Sequence, residues 1–189
     1  YLQKKSKTPS QTYFKHCVYG LRFLLKSEGL PYEFLRLPSI RYQKKLPVVL
    51  SKEEVWAMLQ SAKLLKHKIL IGLLYGCGLR VSELVGLDVG DIHIDDGFVL
   101  VRGKGSKERL APLVGSAARA LTRYIGDGRT LLAAHAHGTE TSAVFLNKNG
   151  RRLSRQAVHA ICERYGRQVG LVGLHPHTLR HSFATHMLA

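Results

Sequence analysis

A chain of 189 residues, 45% hydrophobic and 22% charged, has the composition of an ordinary globular protein and excludes a disordered one. Its longest apolar run, Ile69 to Tyr75 and on through two glycines to Leu79, falls short of the roughly 18 residues that span a bilayer. A formal net charge of +16 implies a polyanionic partner, and charge alone does not separate DNA, RNA and an anionic membrane.

Lys4, Lys5 and Lys7 lead into a polar stretch, so no signal peptide is expected, and the chain opens without a Met, as if mid-sequence. The three cysteines, Cys17, Cys77 and Cys162, are far apart and form no CxxC. Neither a disulfide framework nor a zinc site is expected, and a reducing cytoplasm is. The positive charge is uneven. Residues 1–50 hold ten Lys and Arg against two Glu, and residues 151–189 hold six Arg against one Glu.

Phe14, Val18, Leu21 and Leu25 form an apolar stripe at helical spacing, and Gly29 and Pro31 end that helix. The stretch Leu35 to Pro47, with two prolines and four basic residues, predicts an extended linker and a domain boundary, dividing residues 1–45 from 46–189. Ser51 and Glu54 predict a capping box opening an amphipathic helix through Val55, Met58 and Leu59. Leu70 to Tyr75 is apolar on most sides and predicts a buried helix stopping near Gly76 and Gly78. A β section follows: Ile92 and Ile94 alternate with polar residues, Asp96-Gly97 turns the chain, and Phe98 to Val101 is a buried strand. After Gly103-Lys104-Gly105-Ser106 turns it again, Arg109 to Leu113 returns as a third strand. Helix resumes over Ala117–Tyr124, Gly126 to Gly138 carries no clear pattern, and Ser154 caps a helix running to about Gln168. Pro176 starts a final helix to the chain end.

Three basic features can carry chemistry. In Gly78-Leu79-Arg80-Val81-Ser82-Glu83-Leu84, an arginine closing a buried helix calls for an anion, and Glu83 can reach it at i, i+3. On this fragment alone a structural Arg–Glu pair is the better reading. Lys104 has a glycine on each side; the GxxxxGK[ST] spacing of a P-loop is absent, and a solvated tip lysine is the plain alternative. His177 and Arg180, at i, i+3, share one face near a helix N-terminus, where the helix field favours an anion. His177 and His181 lack the Glu of a zincin, since Thr178 stands there, so no metal is expected.

Taken in order, Gly78 to Leu84, Gly103-Lys104-Gly105-Ser106-Lys107-Glu108-Arg109 and His177-Thr178-Leu179-Arg180-His181-Ser182-Phe183-Ala184-Thr185-His186 resemble the successive signature boxes of tyrosine recombinases of the phage integrase type. Xer-type and transposon- or integron-borne integrases are the nearest in pattern. Leu46-Pro47-Val48-Val49-Leu50-Ser51 resembles the family's entry into its catalytic domain, and residues 1–45 resemble the end of its helical core-binding domain.

The resemblance implies a mainly α fold with a small antiparallel β-sheet, and catalytic roles for Arg80, Lys104, His177 and Arg180, with Glu83 accessory to Arg80. It implies double-stranded DNA as partner, dimers and tetramers on DNA, no cofactor, no metal, no membrane and a cytoplasmic, nucleoid-associated site of action. Candidate DNA contacts are Arg41, Lys44 and Lys45 in the linker, then Lys107, Arg151, Arg152 and Arg155. The family's nucleophilic tyrosine lies beyond the second arginine. Here all eight tyrosines precede Arg180 and the chain ends nine residues after it, so strand cleavage by this chain alone is not expected. An inactive DNA-binding module and a type IB topoisomerase-like enzyme are the alternative readings.

Overall fold

The structure, a computed structural model, describes residues 11–36, 48–103, 105, 107–113, 115–136 and 141–188. The chain divides into two compact units, Tyr1–Leu46 and Pro47–Ala189. In the first, helix α1 (Gln11–Ser27) half-buries Phe14, Val18 and Leu25, while Leu21 is exposed. Gly29 turns the chain in the left-handed region at φ +68°, and Arg22 Nε donates to the Leu35 carbonyl at 2.9 Å, tying the following segment back to the helix.

In the second unit, Ser51 caps α2 (Lys52–Ser61) as expected. Its hydroxyl accepts from the Glu54 amide at 3.1 Å, and the Glu54 carboxylate accepts from the Ser51 amide at 2.7 Å. Helix α3 (Leu65–Gly76) buries Ile69, Leu70, Ile71, Leu73 and Leu74. From Ile69 onward it is apolar on most sides because neighbours surround it: α2, α4 (Val81–Gly86), α5 (Gly115–Arg123), α7 (Arg155–Gln168) and α8 (Pro176–Leu188) all pack against it.

Strands β1 (Ile92–His93), β2 (Phe98–Arg102) and β3 (Glu108–Pro112) form an antiparallel sheet in that order, with Val99 opposite Ala111 and Val101 opposite Arg109. Val99, Val101 and Ala111 face the core. Asp96-Gly97 makes the expected turn, with Gly97 at φ +71°. The fold is thus mainly helical with one small sheet, as the pattern predicts.

The stretch after α5, which has no clear sequence pattern, continues as one wide π-type turn over Tyr124–Arg129 and a short helix α6 (Thr130–Ala133). Arg129 Nε donates to the Ala143 carbonyl at 2.8 Å, leading into Ala143-Val144-Phe145-Leu146, a fully buried segment with no helical or alternating signature. Phe145 stacks on Tyr124 at 5.8 Å between ring centroids. Near the other end, Ser182 of α8 is wholly buried. Its hydroxyl donates to the Thr178 carbonyl and accepts from the Leu50 amide, both at 2.8 Å, so the start of the unit is pinned to its last helix.

His67 of α3 lies 3.0 Å from the Tyr165 hydroxyl of α7. Burial, followed by the charges of Lys66 and Arg164, pushes its pKa down to about 4 from 6.5. The folded state therefore binds fewer protons than the unfolded chain. This contribution to stability is complete above pH 6.5 and is lost as pH falls toward about 4. In urea unfolding from pH 7 to 4, His67→Gln should flatten the pH dependence by somewhat less than the one-proton slope of ~1.4 kcal/mol per pH unit, because the ring is partly solvated. Parallel curves for the two proteins would remove His67 from this account.

Candidate functional site

The site begins with a glycine. Gly78, just past the end of α3, sits at φ +55°, a conformation side chains resist. There is also no room for one: a Cβ on Gly78 would lie 2.4 Å from Phe183 Cδ1. Gly78 and Phe183 belong to the first and third sequence boxes, so their close approach brings the two boxes together. The Arg180 guanidinium, one turn before Phe183 on α8, donates to the Gly78 carbonyl.

Arg80 stands at the N-cap of α4 and Glu83 in its first turn. The Glu83 carboxylate is the buried partner, with 2% of its side chain exposed, whereas 56% of the Arg80 side chain is exposed. This corrects the reason for expecting an anion here. The group taken out of water is the glutamate, and the arginine reaches outward from it. Glu83 Oε1 accepts from Arg80 Nη1 at 2.8 Å; Oε2 accepts from the Arg80 amide at 2.9 Å and from Arg109 Nη2 at 3.0 Å. Arg180 Nη1 stands 3.8 Å from the same Oε2.

Two of the expected site residues, Arg80 and Arg180, therefore converge through one carboxylate, and Arg109 joins them. Burial alone would raise the Glu83 pKa, but the hydrogen bonds from Arg80 and Arg109 outweigh it and hold the carboxyl below its ordinary range. Arg180 is pulled the other way, down from its ordinary value by burial first and then by Arg80 and Arg109, against Glu83. Three guanidiniums facing one carboxylate leave two positive charges; a dianionic group at their open side would balance them, and a monoanionic one would balance half.

The cleft beside them has a volume of about 700 Å3 and is lined by Arg80, Ser82, Glu83, Arg102, Gly103, Lys107, Glu108 and Arg109. The β2–β3 hairpin thus forms one wall. Arg102 is occupied within that wall, paired with the buried Asp91 and, at 3.1 Å, with Glu108. Lys104 falls between β2 and β3 in the chain but outside the described residues, as do Arg41, Lys44 and Lys45.

His177 is exposed, in the first turn of α8. Burial first, then His175, His159, His181 and Arg180, lower its pKa, so it favours the neutral form. A neutral imidazole can donate from one nitrogen and accept at the other. Among the described residues no three His, Cys, Asp or Glu side chains gather as a metal set, and no helix is long and apolar enough to cross a membrane.

Of the other candidate contacts, Lys107, Arg151 and Arg155 are exposed. Arg152 is also at the surface, but its guanidinium is engaged with the Val85 and Leu87 carbonyls at 2.8 and 3.3 Å and with Asp88 at 2.6 Å. It clamps the end of α4. Sequence reasoning passed over Arg109, although it lies inside the second box; two residues before the buried Ala111 it shares that strand's inward face, and the far partner Glu83 is invisible locally.

The family model described as the phage integrase family matches residues 48–189. Tyrosine recombinase XerD of Staphylococcus epidermidis is 45% identical over 154 residues, covering 78% of this chain and 51% of that protein. Tyrosine recombinase XerC of Roseiflexus castenholzii is 40% identical over 159 residues, covering 81% and 50%. The chain spans about half the length of these curated relatives. Among solved structures, the XerH recombinase bound to palindromic difH substrate in a post-cleavage complex matches with a TM-score of 0.75 at 24% identity, over 94% of this chain and 55% of that one. The Tn1549 transposon integrase in complex with a circular intermediate DNA matches with a TM-score of 0.76 at 19% identity, over 99% and 70%. At these identities the structural likeness establishes the fold.

Proposed function

Because the chain belongs to the phage integrase family of tyrosine recombinases, we propose that it supplies the phosphate-binding core of a site-specific DNA recombinase that cuts and rejoins strands through a 3′-phosphotyrosine. The observation that carries this reading is the convergence of Arg80 and Arg180 on Glu83, with two positive charges left over. In strand cleavage a tyrosine oxygen bonds to phosphorus and the 5′ oxygen of the next nucleotide leaves. The transition state gathers charge on the non-bridging oxygens, so the protein's task is positioning and electrostatic stabilisation.

The guanidinium forks of Arg80 and Arg180 suit those oxygens. His177, held toward its neutral form, suits a hydrogen bond to the same group or transfer of the tyrosine's proton. Lys104 is assigned the role of protonating the departing 5′ oxygen. The tyrosine belongs, on this reading, to the part of the relatives' length that this chain does not span. Covalent storage of the bond energy makes the exchange independent of ATP. The partner is double-stranded DNA in the bacterial nucleoid, with recombinase copies pairing on it. Exposed Lys107, Arg151 and Arg155 are assigned to its backbone.

A gel-shift series on random-sequence duplex tests the partner. Contacts to several phosphates should make affinity fall by about a hundredfold or more between 50 and 200 mM salt. Affinity that stays flat over this range, or no shift at the lowest salt, refutes DNA as the partner.

A further inference from the structure

Glu83 Oε2 stands within reach of two guanidiniums but hydrogen-bonds only one of them. Arg109 Nη2 takes it at 3.0 Å, while Arg180 Nη1 remains at 3.8 Å. A buried carboxylate draws in whatever cation is nearest until its lone pairs are used. Oε1 is taken by Arg80, and the Arg80 amide and Arg109 together use Oε2. We propose that Arg109 is a positioning residue: by saturating Glu83 Oε2 it keeps Arg180 from collapsing onto that carboxylate, leaving the Arg180 guanidinium free for a phosphate. This rests on the phosphate-site reading above.

The hairpin's geometry supports the assignment. Arg109 is held opposite Val101 in the β2–β3 ladder, and Val101 is fully buried, so the strand carrying Arg109 has a fixed register. At the same end of the ladder, just past Arg102, the Gly103 backbone comes close enough to Glu83 that a Cβ there would lie 3.8 Å from Oε1. The Arg109 side chain itself is 40% exposed and lines the same cleft, so it is not buried for packing. Without it, Oε2 would keep only the Arg80 amide. The next cation is Arg180, which already bonds the adjacent Gly78 carbonyl.

The test follows arginine Nε–Hε signals by NMR in this chain, free and titrated with inorganic phosphate, in wild type, Arg109→Ala, Arg109→Gln and Arg109→Lys. In the free Ala variant the Arg180 signal should already be displaced while core amides stay put, and phosphate affinity at Arg80 and Arg180 should fall about tenfold, a loss typical of one charged hydrogen bond. The Lys variant, still able to reach Glu83 with a cation, should restore the Arg180 signal and bring affinity to within about threefold of wild type.

A phosphate affinity that falls with the free Arg180 signal unmoved would make Arg109 a direct ligand and overturn the proposal. So would a Lys variant that behaves like Ala. If the Ala variant loses its dispersed spectrum, the Gln and Lys variants decide by the same signals, Gln following the Ala expectation. Wild type showing no response of Arg80 or Arg180 to phosphate overturns the underlying site reading instead, and is recognised before any variant is compared.

Discussion

Glu83→Ala should lower unfolding free energy by about 3 kcal/mol, the lower end of what breaking a buried ion pair costs. The lower end applies because the three arginines remain 56, 40 and 30% exposed, and water takes up part of their lost pairing. For a unit of this size that corresponds to a fall of roughly 6–12 °C in Tm. Glu83→Gln keeps the shape and one acceptor, and should lose about half as much. The two variants share a further expectation that a packing defect would not produce. With Glu83 uncharged, three guanidiniums face each other without a counter-ion, so an added anion must stabilise them more than it does the wild type. Thermal scans with and without inorganic phosphate should therefore show a larger upward shift in Glu83→Gln. A variant within about 0.5 kcal/mol of wild type, in the range of an ordinary surface change, would mean the carboxylate does not organise the cluster.

What the sequence made legible follows the distance over which each feature is determined. The Ser51–Glu54 capping box and the Ser154 cap are decided within four residues, and both stand as expected. The Asp96-Gly97 turn is equally local. Helix α3 announces itself because being surrounded requires apolar residues on most faces, as its run from Ile69 to Tyr75 has. The segment Ala143–Leu146 was not legible: it is held by Asp88 and Arg152 through single bridges, too short for any period to show. At the site, Arg80 and Glu83 lie three residues apart on one helix and their contact can be read directly. Arg109 reaches Glu83 from another strand, and Arg180 from another helix. The ordered boxes resembling a known family singled out Arg180, which the structure places 3.8 Å from the carboxylate that holds Arg80. The position of Arg80 at the end of an apolar helix pointed to the wrong group as the buried one, since a side chain there need not follow that helix into the core.

Gly78→Ala should remove about 2–5 kcal/mol of stability, the sum of two effects that can be separated. Holding a side chain at φ +55° costs roughly 1–2 kcal/mol. Forcing a methyl to within 2.4 Å of the Phe183 ring adds an overpacking cost of about 1–3 kcal/mol. Gly78→Asn meets the same ring but tolerates the left-handed backbone better, so its gap from Gly78→Ala isolates the conformational part. Phe183→Leu in the Gly78→Ala background relieves the contact, and a double-mutant cycle should give a favourable coupling of about 1–2 kcal/mol. The site should feel the change as well. The Gly78 carbonyl accepts from Arg180, so moving it by even a few tenths of an ångström shifts the second guanidinium. Urea unfolding checks the stability and phosphate titration checks the site. A Gly78→Ala protein as stable as wild type, with no coupling to Phe183, would mean that the first and third boxes do not meet where these two residues place them.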